Sequence, residues 1–219
     1  METKLSLAEE LLLLALSEEK GTVLMTASLG LPYGLAGALL IDLAEAGLVR
    51  VEGKGLVAEP RGSAKDELLD ATLEIIRSSA RTRDLKYWVA KIGRSGGKIM
   101  VKDRLLARLV EKRILEREEH RVLLIFPTMR YPEADSRPEY GIRERVKAGI
   151  RGVVPPDGRT AALISLVNAC DLINVIFEKG ERREAKKRAK EISESQPIGS
   201  AVAHTVEAVK AVVVMTAAS

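Results

Sequence analysis

Apolar positions along the chain recur mainly at intervals of three and four residues, the period of a helix with one buried face. Ser6 followed by Glu9 is a capping box ahead of Leu11, Leu12, Leu13, Leu14 and Leu16, which predicts a first helix ended by Gly21. A second helix is predicted from Pro32 through Leu35, Leu39, Leu40 and Leu43, because proline suits a first turn, and Gly47 is its stop. The period then switches. Val49 and Val51 alternate with polar residues around Gly53-Lys54-Gly55, the pattern of a short β-hairpin.

Helical spacing returns near 66–78 and 83–92, and residues 94–98, with Ser95, Gly96 and Gly97, read as a flexible joint. Val101, Leu105, Leu106, Leu109 and Val110 predict a further helix, followed by Ile114-Leu115, a charged turn and a strand-like run from Val122 to Phe126. This repeats the earlier order of helix, tight stop, apolar pair and hairpin. Residues 127–140 hold three prolines and no helical period, so they are expected to form an exposed loop or hairpin. Helices are expected again near 142–150, 158–178, 181–194 and 199–217. The predicted fold class is all-α: a compact helical domain over residues 1–219 with short hairpins and one projecting loop.

Composition agrees with that class. Of the 219 residues, 46% are apolar and only 3% aromatic, so the core must be built from Leu, Ile, Val and Ala. Trp88 and the single cysteine, Cys170, are expected to be core residues, and a lone cysteine excludes an intrachain disulfide framework and fits a reducing cytoplasm. No export signal opens the sequence. Thr160 to Phe177 is short for a membrane span and contains Asp171, and Ile198 to Ala218 carries His204, Glu207 and Lys210, so both are expected to be buried or half-buried helices.

Net charge is +4, too mild to name a partner, but its distribution is uneven. Residues 1–60 hold four basic and nine acidic side chains, whereas residues 81–113 hold eleven basic and three acidic ones, a sector of net +8. Catalytic arrangements are not found. His120 and His204 have no Cys or second His at metal-ligand spacing, and the glycines at 93–97 lack the Gly-Lys-Ser/Thr ending of a phosphate loop. Neither an enzyme, a metal site nor a cofactor is expected. The helix-hairpin repeat leaves one alternative open, a winged-helix nucleic-acid-binding protein using Lys102, Arg104, Arg108 and Lys112 against phosphates.

Several segments resemble the Golgi phosphoprotein family. They are Leu5-Ser6-Leu7-Ala8-Glu9-Glu10 into Leu14, Gly34-Leu35-Ala36-Gly37 into Leu43, Asp103-Arg104-Leu105 into Lys112, and Ala161-Ala162-Leu163 into Asp171, in matching order from Leu5 to Ala217. The resemblance implies a helical fold with a projecting hairpin and peripheral binding to membranes rich in phosphatidylinositol 4-phosphate. In eukaryotic members it also implies an adaptor role toward glycosyltransferase clients and, in some members, self-association through the hairpin, placed here at 127–140. The family's headgroup pocket uses a tryptophan that falls near Met25 to Ala27, a turn arginine that falls on Ala36, and two arginines that fall on Ile99 and Lys102. One cation of three is thus retained.

The expected function is that of a cytoplasmic, peripheral membrane-binding protein that recognises anionic, phosphoinositide-like lipid headgroups. Lys102, Lys98 and Arg94 are the expected headgroup contacts, and Met129 and Tyr131 the expected membrane-contacting tip.

Overall fold

The computed structural model describes residues 4–94, 100–122 and 126–195. In chain order these residues form α1 (Leu7–Leu14), α2 (Leu31–Glu45), β1 (Val49–Glu52), β2 (Gly55–Ala58), α3 (Glu67–Arg77), β3 (Arg83–Asp84) and α4 (Leu85–Arg94). They continue with α5 (Val101–Glu111), β4 (Glu118–Val122), β5 (Phe126–Arg130), α6 (Arg137–Arg151), α7 (Gly158–Ala169), α8 (Ile173–Ile176) and α9 (Arg182–Glu194). The chain is mainly helical, with two small antiparallel sheets of order β1-β2-β3 and β4-β5.

Every residue of α1 is buried, its two glutamates included, as expected of a helix that is apolar nearly all round. Its start is the predicted capping box: Glu9 N–H donates to Ser6 Oγ at 3.2 Å and Ser6 N–H to Glu9 Oε2 at 2.7 Å. The next backbone donors are met from another element. Leu7 N–H and Ala8 N–H donate to the Asp42 carboxylate on α2 at 3.0 and 3.4 Å. Such orphan donors at a buried helix start need a partner, and Asp42 provides it.

Helix α2 is the hub, packing on α1, α3, α4, α5 and α7. It comes so close to its neighbours at Gly34 that an added Cβ would lie 2.3 Å from Cys170 Sγ and 3.1 Å from Leu11. Glycine is there for space. Beyond α2, α7 packs on both α1 and α2, and α9 closes over α7 from outside. Trp88 and Cys170 are both core residues, as the sequence predicts.

Some expectations need correction. The first helix stops at Leu14, not Gly21, and Gly21 instead turns with φ of 57° against the backbone of Tyr131. The single helix predicted over 158–178 is broken, because Asp171 adopts the left-handed conformation (φ 59°) that short polar side chains tolerate. The strand predicted from Val122 to Phe126 is not one strand: β4 ends at Val122, β5 begins at Phe126, the two residues pair, and residues 123–125 lie outside the described residues. The helix predicted from 142 begins at Arg137, with Pro138 in its first turn. Of the joint predicted at 94–98, Arg94 ends α4 and residues 95–98 lie outside the described residues, as does the helix predicted at 199–217.

Burial raises the Asp42 carboxyl pKa from the usual 3.8 to about 6, against the opposing pull of the Leu7 N–H and the Arg159 charge. An acid held above its unfolded value binds its proton more tightly in the fold. Its contribution is therefore complete below about pH 4 and is lost as pH rises through about 6, a change of about 3 kcal/mol in all. Asp42→Asn, which keeps an acceptor for Leu7 N–H, is expected to gain about 2 kcal/mol on the wild type between about pH 4.5 and 7.5 in denaturant titrations. Parallel pH profiles for the two proteins would refute this.

Candidate functional site

The basic sector maps onto β3, α4 and α5, and the fold divides its cations into two groups. Arg108 is held bidentately by Asp66, at 2.7 and 2.8 Å. Burial pushes the Asp66 carboxyl up, but the Arg108 hydrogen bonds and the α3 backbone N–H groups outweigh it and hold its pKa below the usual value. One carboxylate thus caps α3 through Leu68 and Leu69 and anchors α5. Lys112 donates to both oxygens of Glu9 at 2.7 Å, over a side chain that is only 2% exposed. These two cations serve the fold.

The rest of the sector faces solvent. Arg81, Lys86, Arg94, Lys102, Arg104 and Arg113 are exposed. Arg83 lies 4.9 Å from the centre of the Tyr87 ring, and Lys91 lies 5.2 Å from that of Trp88, both within cation–π range. Nothing here supports the nucleic-acid alternative. Of the four cations assigned to it, Arg108 and Lys112 are engaged with carboxylates.

At the edge of this sector, the start of α2, the end of α4 and the start of α5 enclose an open groove of about 410 Å³. Its walls are Val23, Leu31, Leu35, Ile92, Met100 and Val101, and its polar groups are Ser28, Lys102 and Asp103. Lys102 Nζ lies 3.9 Å from the Asp103 carboxylate. Arg94 follows Gly93, which lines the same groove. Beside it the 23–30 segment exposes Met25 and Leu29, and Met100 is half exposed.

The predicted site residues separate accordingly. Lys102 lines the groove and Arg94 ends α4 beside it, while Lys98 and Ile99 lie outside the described residues. Of the positions the resemblance pointed to, Met25 and Thr26 are exposed, whereas Ala27 and Ala36 are fully buried in the core. Met129 and Tyr131 do not form an exposed tip. Met129 is half-buried in β5 opposite Glu119, and Tyr131 packs on the core while its N–H donates to Gly21 O at 3.1 Å. The stretch from 127 to 140 is strand, a bridge from Glu133 to Leu115, and the start of α6, because its backbone pairs with β4 and the 114–116 segment. Sequence reading missed the groove. Its signal was the apolar Val23, Leu24, Met25 and Leu29 in a stretch without helical period.

A larger cleft of about 780 Å³ lies between α1, α6 and the start of α7. Four of its five lining cations are paired, Lys112 with Glu9, Arg145 with Glu10, Arg137 with Asp135 and Arg159 with Glu45, and the fifth is Lys4. The cleft is a structural ion network. Among the described residues no group of three or more His, Cys, Asp or Glu could hold a metal, and no helix is long and apolar enough to cross a membrane.

Fold and groove together define a mainly helical protein with small antiparallel hairpins and an apolar groove at the edge of a basic surface. A model of the Golgi phosphoprotein 3 (GPP34) family matches residues 7–209, and the chain belongs to that family.

The division of cations is testable. Lys112→Met leaves the Glu9 carboxylate buried without its counter-charge and is expected to cost about 3–5 kcal/mol of stability in denaturant titrations. Adding Glu9→Gln, which keeps the capping geometry without the charge, is expected to restore most of that loss. A single-variant cost under about 1 kcal/mol would place this pair with ordinary surface bridges.

Proposed function

We propose that this protein attaches peripherally to membranes, holding anionic lipid headgroups at the exposed cations around the α4–α5 edge and performing no chemical step. The observation that carries the reading is a groove lined by Lys102 and exposed Met100, with Arg94 directly after its Gly93 and exposed Met25 and Leu29 on the segment that gives it Val23 and Ser28. Lysine or arginine beside an anionic surface gains about 1 kcal/mol per residue, and inserted apolar side chains add to it. Several weak contacts then give reversible attachment. Membership of the Golgi phosphoprotein 3 family supports the same reading.

Lys98 belongs to the same basic cluster by sequence. The 127–140 region is kept as a surface for protein clients or self-association, in an adaptor role like that implied by the family. Headgroup selectivity is weak in this reading, because Ala36 offers none of the fork-like donors through which arginine discriminates phosphates. Phosphatidylinositol 4-phosphate is then scarcely preferred over other anionic lipids at equal charge.

Vesicle cosedimentation tests this. Raising salt from about 0.05 to about 0.5 M shortens the screening length several-fold and is expected to release most of the protein. Replacing Arg94, Lys98 and Lys102 together by Glu is expected to abolish attachment. The same charge change at Arg183, Lys186 and Lys187, exposed on α9, leaves it largely intact. Arg182 is unsuited to the control, since its guanidinium donates to Phe177 O at 3.1 Å. Equal losses in both variants, or attachment indifferent to salt, would defeat the localised electrostatic reading.

A further inference from the structure

The groove has the wrong chemistry for a phosphorylated sugar. A headgroup bearing several hydroxyls and phosphates needs a matching set of donors, and buried polar groups without partners are costly. Here the wall is hydrocarbon and thioether from Val23, Leu31, Leu35, Ile92, Met100 and Val101. The one hydroxyl, on Ser28, already donates to Met25 O at 2.8 Å.

The size and rim point to a different guest. A volume of about 410 Å³ falls among sites that take small apolar ligands, roughly 300–1,000 Å³, fixed by a few polar groups. Met25 is 90% exposed, and Met100 is held with a left-handed backbone (φ 50°) that sets it on the groove wall. Methionine is flexible and polarizable, suited to apolar guests of variable length. Charge sets the other end of the guest. Among the described residues at this edge, Lys102, Asp103 and Arg94 sum to one net positive charge, which complements a single phosphodiester.

We propose that the groove takes one acyl chain of an anionic glycerophospholipid, with its phosphate against Lys102 and Arg94. This deepens, and rests on, the reading of peripheral attachment. The protein then selects a membrane by a reachable chain and one negative charge, and the groove holds the lipid at the depth to which Met25 and Met100 enter the bilayer.

The test separates chain capture from attachment by using single-chain lysophosphatidylglycerol below its micelle concentration, with the full-length protein and calorimetric titration. Affinity is expected to rise about fourfold for each methylene added between chains of about six and about ten carbons, with a negative heat-capacity change. Glycerophosphoglycerol, the headgroup without a chain, is expected not to bind. Ser28→Trp fills the groove from an exposed position and is expected to lose the chain-length dependence. Met100→Trp, also at an exposed position, provides a second block should the first variant misfold.

Headgroup binding as tight as lipid binding, an affinity flat with chain length, or unchanged lipid affinity in both folded tryptophan variants overturns the acyl-chain assignment without touching vesicle attachment. An amphipathic peptide that occupies the groove and resists displacement by the lipid overturns it in favour of a protein client. Wild type that loads the lipid but ignores anionic vesicles at every salt concentration defeats the attachment reading and leaves chain capture standing.

Discussion

The buried start of α1 sets the terms for the rest of the structure. A leucine-rich helix can sit in the middle of a protein only if its first N–H groups find acceptors there. Ser6 and Glu9 solve part of this locally, and the Asp42 carboxylate takes Leu7 and Ala8 from across the core. That carboxylate is itself costly to bury, as its elevated pKa of about 6 records. Arg159 offsets the cost at the same place: it donates to Leu5 O at 3.0 Å and to Glu45 at 2.8 Å, and lies 3.5 Å from Asp42. Three helices are thereby tied at one point. The amino-terminal ends of α1 and α7 meet the carboxy-terminal end of α2, and the other end of α2, about 22 Å away for its fifteen residues, forms a wall of the groove.

The same economy explains which charges remain for a partner. Near the helix junctions, cations are engaged by carboxylates that are buried or partly buried: Lys112 by Glu9, Arg145 by Glu10, Arg143 by Glu139, Arg108 by Asp66. Removing Lys112 or Arg143 would leave a buried carboxylate without its counter-charge, so these cations are bound to the fold. Toward the α4–α5 edge the cations stand on exposed backbone with fewer acids nearby. The net +8 of residues 81–113 overstates the usable charge, and Arg94, Lys102 and Arg104 represent it better than the total does.

Much of the fold was legible because local chemistry and global burial agree in it. Ser6 with Glu9, Pro32 in a first turn, Gly47 after α2 and Gly53 in the hairpin turn each act within a few residues, and each stands where its spacing predicts. The failures have a common cause, which is that a distant contact decided the outcome. The apolar run 122–126 reads as a strand by composition, yet the charged stretch Glu118 to Val122 is the strand, since a two-stranded hairpin need not bury one face. Met129 and Tyr131 read as an exposed tip because nothing local announces the bond from Tyr131 N–H to Gly21 O, a hundred and ten positions away in the chain. Lys102, singled out from a family-like motif, lines the groove. The groove itself was not legible, because one wall comes from residues 23–35 and the other from residues 92–103.

That groove opens directly off the core, because Leu31, Leu35, Ile92 and Val101 belong to both. Ala36, on the same helix as Leu31 and Leu35, is fully buried. A guanidinium at Ala36 would have to bury its charge or displace its neighbours, and either is expensive in a close-packed interior. The small residues and the apolar wall of Leu31, Leu35, Ile92 and Val101 therefore form one packing solution, which trades polar donors for hydrocarbon surface at the same edge of the fold. Charge at this edge is carried by side chains outside that wall, on the end of α4 and the first turn of α5, where an anion can be met without desolvating the core. Recognition through such an edge depends less on the pattern of phosphates on a headgroup than on how much apolar guest the wall can cover beside a single charge.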